Sequence, residues 1–566
     1  MNPSPFRRCP IVIASLASLV TTSDAQITLV QEGDMVGSIG ACTRIDDVFI
    51  NNQADWLVRL DTDAPGAEDE VVLMNGAVLF QQGSPVGIPS PAGATFSFLD
   101  TAHLANSGDL MVLFDATLPA GGTASLLYWN GALLLQEGVT PMTAPGVAPG
   151  SVWDSIDEAW ANDSQQLLVG GKVEGSRDCL ALLTLDAAGA IVSEELFAID
   201  GATLPGHPTP VMGFSLARGR QALNNSGVAL WFVDDDHTVA GGSTANDSWM
   251  YRGMAPLWRE GDPMTTPSGS VFGSLSGCEV DLNDRGDHVF QGGRDSSFVL
   301  DVLVVNDTTI IAQEGAPAPN IPGGFTLTAI GTLTPVFLTE RADVLWYGDW
   351  DDPDTSQDTA IFFNQTPLIR EGVSTLYGNT ITTIGSTDKT FALSDNGRYL
   401  IAELISDAPS DPTLNGAYVF DLRPNLGTSY CGPAAVNSSG LAGTIRAVGS
   451  TIVADMDLTL RCEDLARLAF SFVIVSRTQG FAMNPGGSAG NLCLAGAVGR
   501  AVSGIIANTG TAGELIVPVN LMSLPQPLGA VSVVPGDTWN FQAWFRDSVG
   551  GTVTSNFTNG VTVTFQ

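Results

Sequence analysis

Leu282-Asn283-Asp284-Arg285-Gly286-Asp287-His288-Val289-Phe290, followed further on by Gln313-Glu314-Gly315, carries the two phrases whose recurrence decides the fold. The first is a short turn leading into an apolar strand, since Asn and Gly tolerate the left-handed backbone that tight turns need. The second closes a strand. Working outward, Gln-Glu-Gly or a relative stands at Gln31-Glu32-Gly33, Gln81-Gln82-Gly83, Gln136-Glu137-Gly138, Ile199-Asp200-Gly201, Arg259-Glu260-Gly261, Gln313-Glu314-Gly315 and Arg370-Glu371-Gly372. The turn phrase alternates with it at Asn51 to Ala54, Ala105 to Gly108, Ala161 to Ser164, Asn224 to Gly227, Asn283 to Gly286, Thr339 to Ala342 and Ser394 to Gly397. Between them lie hairpin signals at Asn75-Gly76, Asn130-Gly131 and Arg252-Gly253, with Asn306-Asp307 and Asn364-Gln365 as variants.

Each unit therefore reads as four antiparallel strands, the signature of a propeller blade. The ends of the region give a second sign. Strand Ile27 to Val30 has no hairpin partner before it, and Ala417 to Phe420 has no Gln-Glu-Gly strand after it. Pairing 27–30 with 417–420 completes a seventh unit and closes a ring without exposed sheet edges. The expected fold is all-β: a seven-bladed β-propeller over 26–422, a linker over 423–430, and a C-terminal β-sandwich over 431–566.

The Leu282 to Phe290 stretch and the Gln-Glu-Gly strand ends resemble the bacterial secreted tandem-repeat proteins named for an Asn-x-x-Gly-x-x-Ala-Phe motif, over about residues 27–422. The copies starting at Asn224 and Asn283 keep both Asn and Gly; the other five replace one or both. The resemblance implies an exported, surface-associated protein and transfers no activity.

Past Asp421 the composition changes. Residues 26–426 carry 52 acidic and 15 basic side chains, whereas 427–566 carry seven and six. Apolar segments punctuated by Gly and Pro suggest an Ig-like sandwich of seven or eight strands, with one helical turn around Glu463 to Leu468. Tyr430-Cys431, Asn437-Ser438-Ser439-Gly440, Leu492-Cys493-Leu494, Phe541 to Asp547 and Ser555-Asn556-Phe557 resemble a C-terminal module of exported planctomycete-type proteins. This second resemblance implies a surface or sorting accessory. Within that module, Cys431 with Cys493 is the expected disulfide, leaving Cys462 without an obvious partner.

Residues 1–25 read as a signal peptide, with Arg7 and Arg8, an apolar Ile11 to Val20 stretch and a Ser23-Asp24-Ala25 cleavage site. No later segment offers about 20 uninterrupted apolar residues, so an extracellular or cell-surface monomer with no transmembrane segment is expected. Six cysteines remain after the signal, three on each side of residue 427: either one bridge links the two regions or each keeps a free thiol. The net charge of −37 disfavours nucleic acid and favours cations or basic ligands.

The turns and hairpins are expected on one face and the acidic loops on the other. Among the latter, Asp349, Asp351, Asp352 and Asp354 are the candidate ligands of one calcium ion; solvated loop charge is the alternative. The Gln-Glu-Gly carboxylate, recurring in several units, is expected to accept backbone N–H groups of the following loop. His103, His207, His237 and His288 stand isolated in sequence, and no catalytic or cofactor residue is assigned. The leading expectation is a non-enzymatic binding or structural protein of unknown extracellular or cell-envelope ligand; the alternative is an extracellular glycoside hydrolase or polysaccharide lyase.

Overall fold

The computed structural model describes residues 26–566 except 87–90, 215, 217–218, 240–242, 296, 332–333, 388, 423–424, 502–506 and 511–512. The signal-peptide reading of residues 1–25 lies outside the described residues. The chain is built of antiparallel strands, without α-helix among the described residues, and divides into two units at Leu422/Arg423. Among the described residues no helix is long and apolar enough to cross a membrane.

In the first unit the described strands form seven antiparallel sheets in chain order. The second is typical: Thr95–Leu104, Leu110–Thr117, Thr123–Trp129 and Ala132–Gln136, each paired with the next. The seventh sheet draws on both extremities. Its strands Asn379–Ile384, Tyr399–Ala408 and Asp411–Asp421 are completed by Gln26–Gln31, in the register Ile27 to Val419 and Val30 to Ala417.

Successive side chains of a strand point to opposite faces, so the near-continuous apolar runs make both faces of each sheet apolar, and each face is buried against a neighbour. Leu57 and Val72 of the first sheet share a cluster with Phe96 and Phe114 of the second. Equivalent clusters join the second to the third, and so on around to Val30, Ala417 and Val419 packed on Val48 and Leu60 of the first. The sheets thus form a closed cycle in which every apolar face has a partner.

In the second unit one sheet contains Asn425–Leu426, Thr444–Gly449, Leu458–Glu463 and Leu515–Pro518. The other is organised around Phe470–Ser476, Thr538–Val549 and Thr552–Thr564. Ile445, Leu460 and Cys462 from one meet Val473, Trp539, Phe541 and Val561 from the other in a common core. Residues 425–430, read as linker, are strands of this unit: Asn425 pairs with Val448 and Thr428 with Thr562. The helical turn expected at Glu463 to Leu468 is absent, because the amides of Leu465 and Leu468 bond across to the carbonyls of Gly513 and Gly510. Cys431 and Cys493 form a disulfide, whereas Cys42, Cys179, Cys278 and Cys462 are free and buried. Among its described residues the first unit keeps three free thiols, for each lies in a different intersheet core.

Candidate functional site

The seven turns meet around one cavity of 230 Å³, lined by the ends of all seven first strands, including Asn51, His103, Asp163, Asn225, Asp284 and Asp395. Their geometry is set by two positions. The fourth residue of each turn has positive φ whether or not it is glycine: Ala54 65°, Gly108 90°, Gln165 60°, Gly227 79°, Gly286 83°, Ala342 62° and Gly397 69°. The third copy therefore begins at Asn162, one residue later than the sequence reading placed it. Except at Ala105, the side chain of the first residue caps its own turn: Asn51 Oδ1 accepts from the amides of Gln53 and Asp55, and Asn224 Oδ1 from those of Ser226 and Val228.

Turn chemistry is only half the role of this asparagine. Its Nδ2 donates to the neighbouring sheet: Asn51 to Ala105 O at 3.2 Å, Asn162 to Asn224 O at 2.7 Å, Asn224 to Asn283 O at 3.1 Å and Asn283 to Thr339 O at 3.0 Å. The second turn residue extends this into a circuit. The backbone amide of Asn52 donates to Asn106 Oδ1, Asn106 to Asp163, Asp163 to Asn225, Asn225 to Asp284, and Asp284 to Glu340. Glu340 N then donates to Asp395 O, and Asn396 N returns to Asn52 Oδ1 at 2.9 Å. The hydrogen bonds close on themselves after seven turns. A single sequence gives no warning of this, because the side chain used is the unremarked residue after the motif asparagine.

The cavity mouth is consequently a ring of carboxylates and amides, and the described lining residues include no Lys or Arg. Burial pushes Asp395 up to about 6 and Asp281, further down the wall, up to about 7. Further back along the first strands lies a different group. Arg59 Nε donates to Asp47 at 2.6 Å and Nη1 to Glu70 at 3.2 Å, with its guanidinium 4.4 Å from the Phe98 ring centre. Lys389 Nζ donates to the carbonyl of Asp100 at 2.7 Å. Burial raises Asp100 and Glu403 to about 7.

The Gln-Glu-Gly carboxylates bond chiefly within their own sheet, although Glu314 also accepts from the backbone of Ile330 in the next one. Glu137 accepts from Ser125 N at 2.8 Å and Glu314 from Asp301 N at 2.9 Å, so each caps the third strand of its own sheet. The glycine makes the link onward: the amides of Gly33, Gly83, Gly138, Gly201, Gly315 and Gly372 bond to the first strand of the next sheet, and that of Gly261 to Phe272 just ahead of it.

The acidic loops show a similar repetition. Asp63 accepts from Ala41 N, Asp295 from Val271 N, Asp351 from Thr326 N and Asp407 from Thr380 N, each tying a second-strand end to a first strand. Of the calcium candidates, Asp351 has this bond, Asp349 accepts from Thr328 Oγ1 at 3.0 Å, Asp352 from Asp354 N at 3.0 Å, and Asp354 from Ser356 Oγ at 2.7 Å. Among the described residues no group of three or more His, Cys, Asp or Glu is arranged to hold a metal.

Three histidines that stand alone in sequence meet a carboxylate in space, because strand pairing brings distant loops together. His207 contacts Asp235 and stacks on Trp249 at 4.6 Å between ring centres; His237 lies 3.1 Å from Asp247 and His288 3.4 Å from Asp307. In the second unit, Asn437 builds another Asn-x-x-Gly turn, whose Ser438 amide donates to Asp547, itself bonded to Asn556.

No protein-family model matches the chain, and no curated protein matches it. Among solved structures, it is similar to the β-propeller domain of the Trilobed protease from Pyrococcus furiosus, at 8% identity and TM-score 0.36, over 67% of this chain and 96% of that one. It is also similar to the periplasmic gluconolactonase of Pseudomonas aeruginosa, at 12% identity and TM-score 0.24, over 70% and 96%.

Proposed function

We propose that the chain is a secreted or cell-surface, non-enzymatic binding protein: a seven-bladed β-propeller whose acidic surface receives a cationic or basic extracellular ligand, followed by an Ig-like display module. The observation that carries this reading is the use made of the recurrent polar side chains. The turn asparagines, the Gln-Glu-Gly carboxylates and the loop aspartates hold strands and sheets together, and the ring at the cavity mouth pairs its oxygens with neighbouring turns. What remains for a ligand is surface charge, which steers cations and basic groups. The closed cycle of sheets supports the propeller, and the two sheets around one core support the sandwich.

One observation favours the second reading, a glycoside hydrolase or polysaccharide lyase. Arg59, Phe98, Asp47 and Glu70 gather near Asp100, a carboxyl held protonated close to neutrality, and such groups serve acid–base chemistry. Incubating the purified chain with an immobilised polysaccharide panel, while assaying release of reducing ends and unsaturated uronates, separates the two. Retention without release supports the binding protein; release that is lost in Asp100→Asn overturns it. Melting with and without millimolar calcium tests the ion, and an unchanged midpoint removes it.

A further inference from the structure

A second cavity, of 430 Å³, opens between the first and second sheets and shares no lining residue with the one ringed by the seven turns. Its walls include Phe80 from the last strand of the first sheet, and Phe96, Val112 and Tyr128 from the second. Phe80 and Phe96 are stacked with ring centres 5.2 Å apart. Tyr128 is 3% exposed, and its hydroxyl has no hydrogen-bond partner. An unpaired buried hydroxyl is destabilising, so a ligand group that pairs with it would recover stability.

The equivalent position in two other sheets shows how a larger side chain is accommodated there. Four residues after the positive-φ turn position, the fourth and sixth sheets carry Trp231 and Trp346. Each indole is buried and donates to its hairpin carbonyl, Trp231 to Gly253 O at 2.7 Å and Trp346 to Asn364 O at 2.6 Å. The second sheet has Val112 at this position, and the cavity extends to Gly131 of its hairpin. The corresponding hollow between the fifth and sixth sheets is smaller, 340 Å³, and has no aromatic wall; both hollows include the strand-end glutamine, Gln81 in one and Gln313 in the other.

We infer that the cavity between the first and second sheets binds a neutral, aromatic or alicyclic small molecule carrying one hydrogen-bonding group, with its ring against Phe80 and Phe96 and its polar group at Tyr128. Its volume lies within the range of small-molecule sites, and a mostly apolar lining with a few polar groups, here Gln81, Ser84 and Tyr128, is their usual composition. The inference stands independently of the ligand proposed for the acidic surface.

The test uses the full chain and N-phenyl-1-naphthylamine, a neutral probe that fluoresces in apolar surroundings and carries one N–H. Saturable enhancement is expected, weakened tenfold or more in Val112→Trp, which fills the cavity, and several-fold in Tyr128→Phe. Val78→Glu, at the half-exposed rim, offers a second block that leaves the core untouched and is expected to weaken binding likewise. Absence of saturable binding to the unaltered chain overturns the assignment, as does binding unchanged in Val112→Trp or Val78→Glu.

Discussion

At Gly315 the backbone holds φ of +78° and nothing lies within 4 Å of where a Cβ would sit. Gly372 holds +66°, but a Cβ there would meet the Ser356 carbonyl. The two glycines occupy the same place in successive units, so they separate the cost of conformation from that of collision. Gly315→Ala is expected to lower stability by about 1 kcal/mol. Gly372→Ala adds displacement of backbone and is expected to cost about 2 kcal/mol or more. Urea midpoints of the two variants check this; equal losses would place the cost in φ alone. Ala54, Gln165 and Ala342 show that the fold imposes positive φ even where the sequence has lost its glycine. The intersheet packing outweighs a penalty of this size at each of them.

Among the elements, the strands and their order were legible, because Asn-Gly hairpins and Gln-Glu-Gly ends punctuate runs of alternating apolar residues. The hydrogen-bonding duties were not. That Glu137 caps Ser125 of its own sheet, or that Asn52 joins Asn106, depends on which strand lies alongside, and pairing is a property of the folded chain. The one-residue misplacement of the third turn has the same origin: without Gly, only the backbone reveals that Gln165 holds the fourth position. Likewise the beginning of the second unit looked like a linker, since Pro, Asn and Gly are as frequent at strand ends as between domains. The second unit yields its own prediction. The Cys431–Cys493 bridge spans 62 residues, and constraining a loop of that length stabilises by about 4 kcal/mol in the chain-entropy account. Reduction is expected to lower a melting transition assigned to residues 423–566 while leaving that of the first unit in place. A shift of both together would show that the units melt as one.

For the whole molecule, charge and closure are the governing features. Asp100, Asp234, Asp281 and Glu403 keep their protons to about 7 and Asp395 to about 6, each through burial. Unfolded, these groups ionise near pH 4, so between about 4 and 7 the native state binds more protons and stability falls as pH rises. Asp287, Asp295 and Asp354, held low by hydrogen bonds, contribute stability that is lost as pH drops below the usual carboxylate range. Burial lowers His207, which opposes the trend below pH 6.5, but it is one group against five. The thermal midpoint is therefore expected to peak near about pH 4 and to decline toward about pH 7; a midpoint rising over that interval would refute the burial of these carboxyls. Closure rests on Gln26–Gln31 completing the seventh sheet beside Asp411–Asp421. Hydrogen–deuterium exchange of the peptide covering 26–32 tests it most directly: protection matching that of the strands 344–350 and 399–408 is expected, and exchange at the rate of a free chain end would contradict the ring.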